Sequence, residues 1–233
     1  MFPLKDSQPS GTFPIITILL IASCAVVLFL QLTVQDPEAF ILKWALVPNK
    51  VNFFDLTTLV PFFTSMFMHG GLMHFASNMW YLWIFGDNVE GALGKVKFLL
   101  FYIGAGLFAG LAQYVLVLNS SIPNLGASGA IAGVLGFYLV NFNKSTVKTI
   151  IPYPYLTITE LPSTFILSTW FFLQLLSGAA SLPFAGESGG VAWWAHIGGF
   201  AFGYLVGQLY KRTRRIQEVT PFDRFVNFQN PRF

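Results

Sequence analysis

Charged side chains are scarce in this sequence. Among its 233 residues, Lys and Arg number 13 and Asp and Glu only 10, so that 10% of the chain is charged, whereas a soluble domain carries about 25%. So few charges cannot cover a surface that faces water, which excludes an ordinary soluble globule, a disordered chain and a nucleic-acid-binding protein. Because 55% of the residues are hydrophobic and the mean hydropathy is +0.63, we expect lipid to be the solvent for most of the surface.

Cysteine is nearly absent as well. Cys24 is the only one, which excludes a disulfide framework within the chain. Six stretches contain no Asp, Glu, Lys or Arg, and four of them are at or near the ~20 residues that a helix needs to cross a bilayer. These stretches do not alternate as barrel strands do, and helices satisfy their own backbone groups in lipid. The sequence therefore predicts an all-α polytopic membrane protein with six transmembrane helices, over residues 14–34, 69–85, 98–118, 128–142, 163–182 and 191–210.

The distribution of basic residues predicts the orientation of the chain. With the N-terminus in the cytoplasm, eleven Lys and Arg fall on the inner side and only Lys43 and Lys50 on the outer side, which is the positive-inside pattern. The first outer loop, residues 35–68, contains apolar segments that indicate immersion in the outer membrane interface. We expect a short cytoplasmic N-terminus over 1–13, a membrane domain over 14–210 and a basic cytoplasmic tail over 211–233.

A small set of polar residues falls where lipid makes polar groups costly. His69 and His74 belong to the second predicted helix and His196 to the sixth, while Asn78 follows His74 by four residues, on the same helix face. Ser128 opens the fourth helix. Because these three helices all run inward, their polar groups share the outer half of the bilayer and could converge on one site. Taken singly, each residue is also explained by ordinary helix packing or an interhelical hydrogen bond.

The chemistry that such a site could support is nucleophilic. A serine hydroxyl is a weak nucleophile unless a base takes its proton, and His196 is a candidate base from another helix. Ser128 at a helix N-terminus brings free backbone N–H groups to a developing oxyanion, to which His74 and Asn78 could also donate. No carboxylate lies in any predicted span, so a Ser-His-Asp triad is not available and the pattern indicates a dyad.

Glycines mark the helix faces that could bring the two groups together. Gly126 and Gly129 flank the serine and allow close approach of the backbone to a substrate. Small faces also occur on the fourth helix, at Gly129, Gly133 and Gly136, and on the sixth, at Gly199, Gly203 and Gly207. Contact between these faces would draw Ser128 towards His196, although small-residue packing without catalysis accounts for the glycines equally well.

Three motifs lie on the second, fourth and sixth predicted helices: HGGLMHFASN (69–78), GASG (126–129) and AHIGGFAFG (195–203). In this order and topology they resemble the rhomboid family of intramembrane serine proteases, over about residues 55–210. GASG alone is a weak signal, whereas the three motifs together are specific. The resemblance implies a bacterial inner-membrane enzyme that hydrolyses peptide bonds in or near transmembrane segments of other membrane proteins, without a cofactor.

Carried over by position, the resemblance also implies residue roles. Ser128 would be the nucleophile and His196 the general base and later the general acid. His74 and Asn78, with the backbone N–H of Ser128, would form the oxyanion hole. Structural or supporting roles would fall to His69, which positions the first outer loop, to Glu90 at the inner side, and to Gly126, Gly129 and Gly199.

The same resemblance implies a moving part for substrate access. The fifth helix, 163–182, would act as a gate and the following loop, 183–190, as a cap, with Phe184 as a candidate plug. Two positions depart from the pattern of many relatives. A Trp-Arg pair of the first outer loop is replaced by Val60-Pro61, and an aromatic residue that stacks on the catalytic histidine is replaced by Ala132. His196 must therefore be held by another group, or be held less firmly than in those relatives.

Other functions are alternatives to a protease. A non-catalytic relative could bind unstable membrane helices for quality control, and it would not need Ser128. A metal or haem site built from the three histidines would lack the carboxylate or thiolate ligands that zinc usually has, so no metal is predicted. A transporter would show a buried charge or a pair of broken helices. We expect transmembrane proteins and the lipid bilayer as partners and no nucleic acid, while the sequence does not specify an oligomeric state.

Overall fold

The computed structural model describes residues 2–152, 156–182 and 191–213, and most of these residues are helical. In chain order the elements are strand β1 (Phe2–Asp6), helices α1 (Ile15–Thr33), α2 (Pro37–Trp44), α3 (Pro61–Thr64), α4 (Leu72–Leu93), α5 (Lys95–Leu116) and α6 (Ser128–Asn141), strands β2 (Thr146–Ile151) and β3 (Thr157–Pro162), and helices α7 (Ser163–Ser181) and α8 (Trp193–Thr213). Short 3-10 turns occur in the first outer loop at Pro48–Lys50, Leu56–Leu59 and Ser65–Phe67.

Helices α1, α4, α5, α6, α7 and α8 correspond to the six predicted spans, although α4 begins at Leu72 and continues to Leu93. Among the described residues, α1, α5 and α7 are the helices that are long and apolar enough to cross a membrane, and α6 is apolar but shorter. A mostly helical fold with membrane-spanning candidates is thus confirmed. The count of six crossings stays a prediction.

Helix α6 lies at the centre of the bundle, with 12 of its 14 residues buried. Its small face packs on that of α8 at backbone distance. A Cβ atom on Gly199 would overlap the carbonyl oxygen of Gly129, and one on Gly203 would overlap that of Gly133. Because only glycine permits this approach, the two faces fix the axial alignment of α6 and α8, and with it the height of Ser128 relative to His196.

A three-stranded antiparallel sheet corrects the all-α prediction. The strand order is β1-β2-β3, and the register pairs Lys5 with Lys148 and Thr149 with Thr159. The sheet follows the end of α6 opposite Ser128 and leads directly into α7. Its central strand, TVKTII, is rich in β-branched residues and alternates in burial over its first four residues, both of which favour a strand. The strands were not predicted, because they are too short to resemble a run that spans lipid.

The N-terminal strand is tied to the bundle by polar contacts. Trp80 Nε1 donates to the carbonyl oxygen of Pro3 at 2.6 Å. Asp6 Oδ2 accepts hydrogen bonds from the Tyr138 hydroxyl at 2.6 Å and from Asn88 Nδ2 at 2.8 Å. Burial raises the pKa of the Asp6 carboxyl to about 7, even though the hydrogen bond from Tyr138 opposes this shift. The segment predicted as a short cytoplasmic N-terminus is therefore part of the folded structure from Phe2 onward.

Helix α1 is held by a buried carboxylate of α4. Glu90 accepts hydrogen bonds from the backbone N–H groups of Ile16 and Thr17, at 3.0 and 2.8 Å, and from the Thr17 hydroxyl at 2.9 Å. A negative charge at a helix N-terminus is stabilised by the free N–H groups and by the helix dipole. Glu90 thus joins two helices, which is consistent with the structural role that the resemblance implies.

The predicted first outer loop is anchored to the connection between α5 and α6 and to α1 rather than through a Trp-Arg pair. Leu46 and Asn124 exchange backbone hydrogen bonds of 3.0 and 2.7 Å. The backbone of His69 is bound on both sides by the Gln31 side chain, at 3.0 Å each. Phe54, by contrast, is fully exposed. An anchored loop that presents large apolar side chains is in keeping with immersion in the membrane interface.

Candidate active site

Ser128 begins α6 directly after a turn at Gly126. The turn needs glycine for two reasons. Its φ of 138° lies in the left-handed region, and a Cβ there would come within 3.0 Å of the His74 ring. The Gly126 N–H donates to the carbonyl oxygen of Ser65 at 2.9 Å, which ties the turn to the first outer loop. The serine is therefore held at a helix N-terminus by backbone geometry that the GASG motif specifies.

His196 comes from α8 and meets the serine. Its Nε2 lies 2.7 Å from Ser128 Oγ, a hydrogen-bond distance. The first turn of α8 is fixed by Gln113 of α5, whose Oε1 accepts the Ala195 N–H at 3.1 Å. The imidazole is buried, with 8% of the residue exposed, while Ser128 is partly exposed. A nucleophile and a base within hydrogen-bond reach are the minimum that covalent catalysis requires.

The opposite edge of the His196 ring is held by α7. Gln174 Oε1 lies 2.8 Å from His196 Nδ1, and the Trp170 ring lies against the imidazole with centroids 5.8 Å apart and planes 35° apart. Neither Trp170 nor Gln174 was predicted from the sequence as a site residue. A lone glutamine in an apolar run was the available signal, but nothing in the spacing joins it to a histidine 22 residues later. These contacts restrain the His196 ring, for which Ala132 provides no aromatic stacking partner.

His74 faces the serine from α4 with a defined proton. The Gly70 N–H donates to His74 Nδ1 at 3.1 Å. A neutral imidazole that accepts at Nδ1 carries its proton on Nε2. Nε2 borders Gly126, since a Cβ atom placed there would lie 3.0 Å from Nε2 and 3.6 Å from Ser128 Oγ. His74 Nε2 and the serine hydroxyl therefore lie on the same side of Gly126.

Asn78 lies one turn further along α4 and supplies a second donor. The residue is 7% exposed, and its Nδ2 is buried with no hydrogen-bond partner among the described residues. Buried amide donors are nearly always satisfied, so an unpaired one needs an explanation. Since Asn78 lines the same cavity as Ser128, a negative oxygen formed beside the serine is an acceptor that would satisfy it.

His69 precedes α4 rather than belonging to it, which corrects its assignment to the second span. Its ring is buried and packs edge-on against His74 and Phe75, with both centroid distances 5.3 Å. Neither ring nitrogen has a hydrogen-bond partner within the described ranges. The backbone contacts with Gln31 tie His69 to α1. Its position therefore fits the predicted structural role at the junction of the first outer loop and α4.

The polar groups line one cavity of about 570 Å³ between α4, α6, α7 and α8. His74, Asn78, Ser128 and His196 all border it, and so does Ser77, whose hydroxyl instead donates to the His74 carbonyl oxygen at 3.0 Å. The remaining wall is largely apolar and includes Tyr81, Ile131, Leu135 and Trp170. A few polar groups in an apolar concave wall are typical of a binding or catalytic site.

Other predicted parts lie outside the residues that the structure describes. These are the candidate plug Phe184, the cap 183–190 and the tail beyond Thr213. Gly129 and Gly199, predicted to support the site, do pack on each other immediately below the Ser–His pair. In the described part of the chain, no group of three or more His, Cys, Asp or Glu side chains is arranged to hold a metal ion.

Together, the helices and the cavity define the class as a helical membrane protein with a buried serine–histidine pair. The sequence profile of the Rhomboid domain matches residues 57–213, and the chain belongs to the rhomboid family.

Several curated relatives share this region. The presenilin-associated rhomboid-like protein, mitochondrial, of Homo sapiens is 33% identical over 148 residues, covering 61% of this chain and 36% of the relative. Rhomboid protease AarA of Providencia stuartii is 31% identical over 159 residues, covering 63% and 54%. Rhomboid protease GluP of Bacillus subtilis (strain 168) is 42% identical over 76 residues, covering 33% and 14%. The chain thus spans less than two thirds of the length of each of these relatives.

Proposed function

We propose that the chain is an intramembrane serine endopeptidase that hydrolyses peptide bonds in or near transmembrane segments of other membrane proteins. The observation that carries this proposal is the 2.7 Å hydrogen bond between Ser128 Oγ and His196 Nε2, formed inside a cavity that two further donors border. Two relatives are themselves named rhomboid proteases, which supports the same reaction type for this chain.

The proposed reaction begins with Ser128 and His196. His196 Nε2 takes the hydroxyl proton as Ser128 Oγ attacks the carbonyl carbon of the scissile peptide bond, whose oxygen becomes an oxyanion. The Nε2–H of His74, the Nδ2–H of Asn78 and the N–H of Ser128 donate to that oxygen. The imidazolium returns its proton to the leaving amine, and an acyl-enzyme remains. Water then attacks the ester with His196 as the base, which releases the new carboxylate and restores the serine.

The substrate class follows from the surroundings of the pair. The cavity lies among helices whose outer faces carry large exposed apolar residues, including Phe165 and Phe172 on α7. An extended or unwound piece of a transmembrane segment would meet apolar walls and find its carbonyl next to the donors. We propose α7 as the element that moves for access, an inner membrane of bacterial type as the location, and both termini on the cytoplasmic side. No cofactor takes part in the proposed reaction.

Reconstitution with a transmembrane substrate tests the proposal. The purified chain is incorporated in liposomes with a panel of single-span membrane proteins, and cleavage is compared with that by Ser128→Ala and His196→Ala. Ser77→Ala is the matched control, because Ser77 borders the same cavity but bonds to its own helix. We expect cleavage by the wild type and Ser77→Ala and none above background by the other two variants.

Cleavage that continues undiminished in folded Ser128→Ala would contradict the proposed mechanism. Association with membrane helices that survives loss of Ser128, with no cleavage by the wild type, would instead identify a non-catalytic protein that binds unstable membrane helices.

A further inference from the structure

We propose that Gln174 is the positioning residue of the catalytic base: its side-chain oxygen fixes the tautomer of His196 and thereby presents an unprotonated Nε2 to Ser128. This inference rests on the proposed function and assigns to α7 a role that completes the dyad. The residue is 6% exposed and lies on the far side of the imidazole from the serine.

The hydrogen bonds around Gln174 admit one orientation of its amide. Gln174 Nε2 lies 3.3 Å from the carbonyl oxygen of Trp170, one turn earlier in α7. A carbonyl oxygen only accepts, so the amide group that faces it must be the NH₂. The amide oxygen then faces His196 Nδ1, at 2.8 Å. The backbone of α7 itself therefore sets the orientation of the glutamine side chain.

The orientation of the amide determines the proton on the histidine. An amide oxygen cannot donate, so His196 Nδ1 carries the hydrogen, and in the neutral ring Nε2 is left with its lone pair. That lone pair points at Ser128 Oγ, 2.7 Å away. The opposite tautomer would put a hydrogen on Nε2 and would leave the base unable to accept the serine proton. One glutamine oxygen thus makes His196 a base rather than a donor.

A glutamine suits this position better than a carboxylate. A buried carboxylate would carry a desolvation cost of several kcal/mol that is repaid only by excellent pairing. The amide dipole avoids that cost, and still stabilises the positive charge that develops on the ring when the serine proton is taken. Trp170 adds a second restraint on the same ring, with a centroid distance of 5.8 Å. Both of these restraints come from α7, in addition to the Trp193 ring of α8, which meets the imidazole edge-on at a centroid distance of 6.2 Å. The orientation of the base therefore depends in part on the packing of α7 against α8.

The test measures two quantities, the labelling rate of Ser128 and the tautomer of His196. The nucleophilicity of Ser128 is read as the second-order rate of labelling by a fluorophosphonate in detergent, which needs no knowledge of the natural substrate. The proton position is read from the imidazole nitrogen shifts of protein labelled with ¹⁵N-histidine, at about pH 8, where an unperturbed histidine is neutral. The His196 signals are assigned by their loss in His196→Ala.

Three substitutions separate positioning from general stability. Gln174→Leu removes the acceptor at similar volume. Gln174→Glu keeps an acceptor oxygen. Gln208→Leu makes the same change as the first on α8, roughly 18 Å below His196 at 1.5 Å rise per residue. We expect Gln174→Leu to slow labelling about 10- to 100-fold and to replace the single Nδ1–H pattern by a mixture. Gln174→Glu should keep the Nδ1–H pattern, and Gln208→Leu should match the wild type in both measurements.

Two results would overturn the inference. One is wild-type labelling in folded Gln174→Leu. The other is slow labelling with an unchanged imidazole spectrum, which would mean that Gln174 acts on stability alone. If Gln174→Leu does not fold, a Gln174→Glu spectrum without the Nδ1–H pattern refutes the inference by itself. Failure of the proposed function is seen separately, as a wild type that does not label at Ser128, because the imidazole spectrum does not depend on activity.

Discussion

In the proposed mechanism the groups that activate Ser128 and stabilise the oxyanion are neutral, whereas many soluble hydrolases use charged groups in these roles. The proposed base is a neutral imidazole, its partner is the side-chain amide of Gln174, and His74 and Asn78 are the proposed donors for the oxyanion. Each of these groups is oriented by a neighbour from the chain itself, except the Asn78 amide nitrogen, which lacks a partner among the described residues. Such a set is what a site surrounded by lipid permits, because an isolated charge would be expensive there.

The Asn78 amide, which has no hydrogen-bond partner in the described part of the chain, leads to a prediction on the rate. Asn78→Ala removes one oxyanion donor, and the loss of one such donor typically costs about 100- to 1000-fold in kcat. KM should change little, since the donor acts on the charge that develops in the transition state. The measurement is a kinetic comparison in liposomes with Ser77→Ala, which changes the preceding residue of the same helix. A higher KM at unchanged kcat would show that Asn78 only binds substrate.

The sequence allowed the central residues to be named but not their support. Ser128, His196, His74 and Asn78 were predictable because the motifs combine residue type, spacing and helix order. Gln174 was not, since its relation to His196 depends on how α7 packs on α8, and helix packing is not encoded in local spacing. Phe184 lies outside the described residues, and its role stays a prediction.

At the scale of elements, the glycine faces of α6 and α8 determine the geometry of the site. Lipid offers no hydrophobic drive for helices to associate, so close backbone packing supplies much of the contact energy. Gly136 extends the same seam, as a Cβ there would overlap the carbonyl oxygen of Phe200. Gly199 and Gly203 were recognised as a small face from their spacing, and the contacts show that they meet glycines of α6.

Replacing one of these glycines should separate the helices. Gly203→Ala would place a methyl group inside the contact radius of the Gly133 carbonyl oxygen, which is backbone and cannot move aside cheaply. We expect a loss of about 1–3 kcal/mol in stability, together with reduced activity. Gly104→Ala is the control, because its Cβ would meet only the tip of the Phe202 ring, at 3.2 Å. The measurement is the thermal unfolding midpoint in detergent, and equal midpoints for the two variants would refute the packing account.

The sheet leads to a prediction on pH. The pKa of Asp6 is raised to about 7 from the usual 3.8, so the folded state binds this proton more tightly than the unfolded state does. Stability should therefore fall as the pH rises from about 4 to about 7. Asp6→Asn keeps an oxygen that can accept from Tyr138 and Asn88 but does not ionise. We expect its unfolding midpoint to fall less than that of the wild type across this range. An identical fall in both proteins would contradict the contribution of Asp6.

At this scale the helices could be predicted from the sequence and the sheet could not. The long helices were predictable because runs without charge are long. Their boundaries differ from the structure by three residues or fewer, except that α4 continues eight residues past its predicted end, to Leu93. Strands β1, β2 and β3 were all missed because each is short, and β1 also pairs with a segment distant in sequence: Asp6 with Val147, for example. Neither hydropathy nor charge distribution reports such pairing.

At the scale of the whole molecule, the proposed orientation rests on the eleven basic residues assigned to one side. This prediction is tested with single cysteines in a Cys24→Ser background. Phe54→Cys lies on the first outer loop and Lys95→Cys at the start of α5, and both positions are exposed. A membrane-impermeant maleimide should label the first variant in intact cells and the second only after permeabilisation. The reverse pattern would invert the orientation and place the cavity on the cytoplasmic side.

The most direct test of the central claim is the site of covalent modification by a fluorophosphonate, mapped by mass spectrometry of the membrane-embedded protein. If His196 activates Ser128, we expect an adduct on Ser128 in the wild type, none on Ser77 in the same cavity, and loss of the adduct in His196→Ala. An adduct on Ser77, or modification of Ser128 at the same rate without His196, would contradict a serine activated by that histidine.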